Sequence, residues 1–291
     1  MKPAAFAYAR PDSLDEAVSL LAEHGSEAKI LAGGQSLVPL LNFRMLRPAM
    51  LVDINRIRDL AGLREDNGGL RVGALTRHHM LETSPIVRKH FPVLSEAMTH
   101  VAHLAIRNRG TIGGSLSHGD PAAELPMMAM LLDAEIHTRS ASGSRVHAAQ
   151  DFFLAPLTTV LEDDEIVTEV VLPHIPAGAG CAFEEFSQRT GDFAIAAVAA
   201  IVRLADGKIA ELRLALTGVG ETPLRLREIE ADVIGETMSP QLVTNVAQRA
   251  REAVQPNSDL KASAEYRRHL VAALTERVLM AAVQRAGGGA A

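Results

Sequence analysis

Two short glycine-rich stretches offer the chemistry this chain can do. The first, Ala32-Gly33-Gly34-Gln35-Ser36, follows the apolar run 28–32, which reads as a buried strand, and precedes a helical stretch from Val38 to Leu46. Adjacent glycines let a backbone approach an anion closely, and the following helix presents N–H groups and the positive end of its dipole. Gln35 and Ser36 add side-chain hydrogen-bonding groups. The spacing is neither GxGxxG nor a P-loop, and no Lys follows. Taken alone, a tight turn needing positive φ explains the glycines more simply. The second stretch, Thr111-Ile112-Gly113-Gly114-Ser115, leads into Ser117-His118-Gly119-Asp120-Pro121-Ala122-Ala123-Glu124-Leu125-Pro126. Two such turns in separate folding units suit a ligand whose two phosphates are gripped from both sides. Asp120 and Glu124 would repel phosphate; they suit hydrogen bonds from a ribose or a heterocyclic ring, with helix capping as the other reading of Asp120.

The elements that must position these turns fall into three units of an α+β chain. In the first, 1–57, Ser13 and Glu16 form a capping box, Gly25 closes the helix, and 50–54 is a second strand, giving a βαβ outline. In the second, 58–175, a strand at 70–75 precedes a helix capped by Thr76, and Pro92 opens another helix. The stretch 102–119 has four glycines and no helical period, which predicts a loop. A helix from Pro121 to Leu132, a hairpin across 140–143 and a strand at 165–172 complete this unit. In the third, 178–286, strands come first and helices last: Asp206-Gly207 signals a hairpin, Ser239-Pro240 opens one helix and Ser263 a longer one. Residues 287–291 read as a flexible tail.

Composition removes whole classes. The net charge of −6 is a poor match to a general nucleic-acid binder, and Trp is absent. Cys181 is the only cysteine, so this chain alone can form no internal disulfide, no thiolate zinc site and no iron–sulfur cluster. It reads as a small buried apolar group. The eleven histidines do not converge: His78 and His79 are adjacent, and His100 and His103 lack a carboxylate at matching spacing, so no metal site is expected. Neither a signal peptide nor a membrane span is expected.

Together, AGGQS, TIGGSLSHGDPAAELP and the early strand LVDI resemble the FAD-binding medium subunit of molybdenum hydroxylases, of the carbon monoxide dehydrogenase and xanthine dehydrogenase kind. The resemblance covers nearly the whole chain. It implies a two-subdomain FAD-binding fold of the PCMH/VAO type followed by a C-terminal α+β domain. It implies that Ala32, Gly33, Gly34, Gln35 and Ser36, with Thr111, Ile112, Gly113, Gly114 and Ser115, hold the FAD pyrophosphate. Leu31 and Leu37 would line the same groove, Glu124 would meet a polar part of the cofactor, and Val101 would pack against adenine or flavin. The segment 189–194, with Asp192 and Phe193, looks like the family's approach to the isoalloxazine, and Ile166 is a further carry-over. Gln35 stands where some members carry His or Thr, Ser115 where many carry Asn or Asp, and Glu185 near a position often basic.

The resemblance also implies non-covalent FAD and no substrate oxidation on this chain. Electrons would come from a molybdopterin-binding large subunit through the 2Fe–2S clusters of an iron–sulfur small subunit. They would leave to quinone, NAD or oxygen. It further implies a dimer of heterotrimers, located in the cytoplasm or peripheral to the inner membrane through its acceptor. Two other readings stay open: a self-contained flavin oxidase of the same fold, and a nucleotide-binding assembly protein without redox work.

Overall fold

The computed structural model describes residues 1–66 and 68–287; of the expected tail at 287–291, Gly287 ends the last helix and 288–291 lie outside the described residues. A small parallel sheet opens the chain, its strands ordered Ala7–Ala9, Met50–Asp53, Ala28–Leu31. The first of these adds an edge strand to the βαβ outline. The crossover helix Leu14–His24 starts as its sequence predicts: Ser13 Oγ accepts from the Glu16 N–H at 3.2 Å, and Glu16 accepts from the Asp12 N–H at 3.1 Å. Gly25, at φ +52°, ends it. Its buried stripe Ala17, Val18 and Leu21 packs on Val52 and Ile54.

The helix after the first glycine turn spans only Leu37–Asn42, shorter than expected. Arg44 takes φ +59°, a conformation no right-handed helix can contain.

The middle of the chain builds a five-stranded antiparallel sheet, ordered Leu63–Asp66, Gly69–Gly73, Ile166–Pro173, Glu135–Ser140, Gly143–Ala148. Thr76 caps no helix. Its hydroxyl accepts from the Gly62 N–H and donates to the Gly62 carbonyl, both at 2.9 Å, and Arg77 is the N-cap of His78–Thr83. The predicted loop at 102–119 is a correction: it contains the helices Leu104–Arg107 and Ile112–His118. Glycines in the first turn of the second helix masked its period. The Thr111 side chain caps it, accepting from the Gly114 N–H at 3.1 Å. The next helix, Glu124–Leu131, starts later than expected because the Asp120 side chain accepts from the Ala122 N–H at 2.8 Å and holds a turn there.

The third sheet is antiparallel, ordered Gly180–Phe186, Ala196–Ala205, Lys208–Thr217, Leu224–Arg225. Asp206 and Gly207 both have positive φ, as a two-residue hairpin turn requires. Helices Pro240–Ala253 and Ala264–Gly287 follow, so strands precede helices as the sequence indicates. Alternation divides the sheet's side chains between two cores. Cys181, Phe183, Ala197, Ala199 and Ala215 join the apolar cluster of the middle unit, whereas Ala182, Val198, Leu214 and Leu216 pack on the C-terminal helices. The sheet is thereby buried on both faces, and the middle and C-terminal units share one continuous core.

Candidate functional site

A single cavity of about 670 Å³ runs between the first and middle units. That volume lies within the roughly 300–1,000 Å³ typical of small-molecule sites. Both glycine turns line it: Ala32 through Leu37 on one side, and Thr111, Gly113, Gly114 and Ser115 on the other. Val101, Glu124, Ile166, Asp192 and Phe193 line it too, although they come from four separate stretches of chain. Two of the expected residues do not. Leu31 borders an adjoining recess of about 370 Å³. Ile112 is 3% exposed in the core, because the residue after an N-cap turns inward when the helix rests on the sheet.

The turns touch. A Cβ on Gly33 would stand 2.5 Å from the Arg109 carbonyl oxygen and 2.9 Å from the Gly110 Cα, so only glycine permits this approach. Gly34 has φ +72°. The two turns differ in their donors. Among the described residues, the N–H groups of Gly33, Gly34, Gln35 and Ser36 make no hydrogen bond to backbone or side chain. In the second turn the donors are taken: Ile112 gives to Thr76, Gly113 to Ala74, Gly114 to the Thr111 hydroxyl and Ser115 to the Thr111 carbonyl. The first turn therefore offers a nest for an anion, and the second offers side chains on a helix packed too tightly for a Cβ at Gly113, which would lie 2.6 Å from Ala74 Cβ.

A polar brace that sequence reasoning missed locks the turns together. Asn55 Nδ2 donates to the Ala32 carbonyl at 2.8 Å, and its Oδ1 accepts from Arg77 at 2.7 Å. Arg77 also donates to the Arg109 carbonyl. Asp53, 7% exposed, fixes Asn55 through Oδ1 and accepts from the Tyr8 hydroxyl through Oδ2. Burial alone would raise the Asp53 pKa; the bonds from Tyr8 and Asn55 and the Arg10 charge outweigh it and hold the carboxyl below its usual range. The one sequence signal is Asp53 in LVDI, which marks a strand and carries part of the family resemblance but no brace. Asn55 and Arg77 lie in linkers with no motif.

Three of the six acidic residues on the cavity wall are paired with a cation or shifted toward their neutral form. Glu165, pressed upward by burial, is overridden by hydrogen bonds from Arg145 and Thr138 and falls to about 2, its charge compensated by Arg145. Asp163 lies 3.6 Å from Lys29. Burial, with the Asp120 charge adding, lifts Glu124 to about 7. His78 also borders the cavity, with neither ring nitrogen hydrogen-bonded, and burial holds it near 4, so it is neutral.

Among the described residues one His–carboxylate group converges, Glu65, His90 and His174, at the edge of the five-stranded sheet and outside both recesses. Its three residues lie far apart in sequence, which hid it. No described helix is long and apolar enough to cross a membrane. Cys181 is buried, which raises its thiol to about 11 and leaves it inert at neutral pH.

Comparison with known proteins accords with this geometry. The family described as FAD binding domain in molybdopterin dehydrogenase matches residues 4–175, and the CO dehydrogenase flavoprotein C-terminal domain matches residues 181–282. The chain is 44% identical to the 6-hydroxypseudooxynicotine dehydrogenase complex subunit alpha of Paenarthrobacter nicotinovorans, over 98% of this chain and 97% of the relative. It is 37% identical to the carbon monoxide dehydrogenase medium chain of Hydrogenophaga pseudoflava, over 98% of this chain and 99% of the relative. A solved structure of carbon monoxide dehydrogenase from Hydrogenophaga pseudoflava, lacking the Mo-pyranopterin moiety of its molybdenum cofactor, superposes with a TM-score of 0.95 at 38% identity, covering 98% of this chain and 99% of that one. With a cavity framed by both turns and matches along nearly its whole length, the chain belongs to the FAD-binding medium subunits of the molybdenum hydroxylase-type dehydrogenases, a family of oxidoreductase subunits.

Proposed function

We propose that the cavity between the two turns is the FAD site of an electron-transfer subunit. The observation that carries this reading is the contact of Gly33 with residues 109–110, which sets the unbonded N–H groups of the first turn against the second turn in one crevice. The first turn, Ala32–Ser36, holds the pyrophosphate with backbone donors. Thr111–Ser115 closes the crevice from the other side, with Ser115 facing the ligand and Ile112 anchoring the helix in the core. Val101 and Ile166 supply apolar walls, and Asp192 and Phe193 stand where the ring system would lie. Phe193, half exposed, offers a face for stacking. FAD bound there, without a covalent link, would supply storage for two electrons that can be exchanged singly. The chain's own task is to bind it, orient it and tune its electrostatics.

In this reading the division of the chain is 1–57 and 58–175 for FAD and 178–286 for the C-terminal domain. Electrons arrive from a molybdopterin-binding large subunit through the clusters of an iron–sulfur small subunit. They leave to quinone, NAD or oxygen. The lone buried cysteine supports this division of labour, since clusters need thiolates that this chain lacks. A dimer of heterotrimers in the cytoplasm is the assembly we expect. Titrating the ligand-free full chain with FAD, FMN and ADP, followed by flavin fluorescence and calorimetry, tests the site. FAD should bind far more tightly than FMN. Equal affinity for FAD and FMN, or binding of ADP without flavin, would overturn the reading. Oxidation of an organic donor by the isolated chain would move it to a self-contained oxidase.

A further inference from the structure

Glu185 is the one residue of the strand Gly180–Phe186 whose two carboxyl oxygens are buried with no hydrogen-bond partner among the described residues. Alternation along that strand sets it on the same face as Cys181 and Phe183, which pack into the core of the FAD-binding part. Its rung across the sheet is Glu185–Ala197–Thr217. The Thr217 hydroxyl donates to the Pro121 carbonyl at 2.8 Å and lies 3.2 Å from the Ala123 carbonyl, immediately before Glu124. Two strand spacings, roughly 10 Å, separate Glu185 from Thr217 along the sheet. Glu124 is itself 4% exposed and forms part of the cavity wall.

Two ionised carboxylates cannot share such a place without compensation. The surrounding charges do not provide it. Glu184 points to the opposite face and pairs with Arg277. Arg267 directs its two terminal nitrogens to the Ile195 and Gly218 carbonyls and to Asp259, leaving only its Nε without a partner among the described residues. Asp120 adds negative charge at Glu124. His100 packs edge-on against Phe183 at 5.0 Å, and burial lowers its pKa against the opposing pull of Glu96. His103 abuts Gly191 beside the cavity. Burial, with the Glu124 charge adding and the Ser187 side chain opposing, raises Glu185 to about 8, while burial holds Glu124 near 7. The Glu124 charge is thus felt at Glu185 across the domain junction.

We propose that Glu124 and Glu185 form one proton-holding pair at the junction of the FAD-binding and C-terminal domains, and that an anionic cofactor entering the cavity draws a proton onto it. The inference rests on the cavity being the FAD site and adds a regulation to it: cofactor occupancy and proton uptake are linked. Glu185 acts through Glu124 and is a positioning residue.

The test is calorimetry of FAD binding to the full chain in buffers of different ionisation enthalpy, which counts protons exchanged. FAD is the right probe because its pyrophosphate does not titrate near neutrality, unlike the phosphate monoester of FMN, whose second pKa is about 6. The wild-type chain should take up a fraction of a proton per FAD near neutral pH. Its affinity should fall as pH rises through about 7 to 8, by at most about tenfold per pH unit for one proton. Glu185→Gln should abolish most of the uptake. A second readout needs no cofactor. Both groups have raised folded pKa values, so ligand-free stability should fall between the ordinary carboxylate range and about pH 8, and Glu185→Gln should flatten that slope. Should that variant fail to fold, Glu124→Gln reports on the same slope. FAD binding without proton uptake, or a variant that keeps the wild-type slope, overturns the pair and leaves the FAD site standing. Failure of FAD to bind at all overturns the site instead.

Discussion

The two glycine turns share a residue pattern and differ in physics. In Ala32–Ser36 the backbone donors are unspent, and the glycines serve closeness: Gly33 lies against 109–110 and Gly34 takes a left-handed conformation. In Thr111–Ser115 every donor from Ile112 to Ser115 is satisfied within the protein, and Gly113 serves packing against Ala74. A GG pair before a helix can thus make either a ligand nest or a helix seat. Only the partners of its N–H groups distinguish the two.

Substitutions can break or sharpen that contrast. The largest effect is expected at Gly33. Gly33→Val must push the Arg109 carbonyl away and part the turns, so FAD affinity should drop about a hundredfold, near 2.7 kcal/mol. Gly113→Ala, by contrast, overpacks the core and should cost about 1–3 kcal/mol of folding stability in denaturant titrations. If the two variants damaged binding and folding in the reverse order, the contrast would be wrong.

The brace comes next. Arg77→Met leaves Asn55 and the Arg109 carbonyl without a donor, which should weaken FAD about tenfold and lower stability by about 1–3 kcal/mol. A binding isotherm unchanged from wild type would mean that the turns hold each other unaided. Thr111→Ala removes a cap and should cost about 1 kcal/mol of stability with little loss of FAD affinity, while Thr111→Ser keeps the cap. A large affinity loss in the alanine variant would show that the Thr111 hydroxyl, and not Ser115 alone, meets the ligand. The smallest effect concerns His78. Its folded pKa, about 4, lies below the ordinary 6.5, so its contribution is present above 6.5 and is lost as pH falls toward 4. His78→Phe should flatten the acid limb of a stability–pH curve.

Local signals were legible where they act within a few residues. The Ser13 capping box, the Asp206-Gly207 turn and the Ser239-Pro240 start all occur as their residues predict. The helix Ile112–His118 was illegible because glycine lowers helix propensity, and here tertiary contacts and a Thr cap outweigh that cost. The start of Glu124–Leu131 was misplaced because Asp120 caps a turn instead of the helix. Most of the expected cavity residues do line one crevice, but Ile112 and Leu31 do not, since neighbours in sequence around a turn point in different directions.

The sequence by itself determined the membership of the family, the α+β order of elements, the two turns and the want of thiolates for a cluster. Those properties depend on residue type and short spacing. Tertiary structure alone decided which turn has unspent donors, that Asn55 and Arg77 tie the turns together, and that Glu185 meets the side of the sheet facing Glu124. Each of these is a hydrogen-bond or burial relation between residues tens of positions apart, and such relations exist only once the chain has folded.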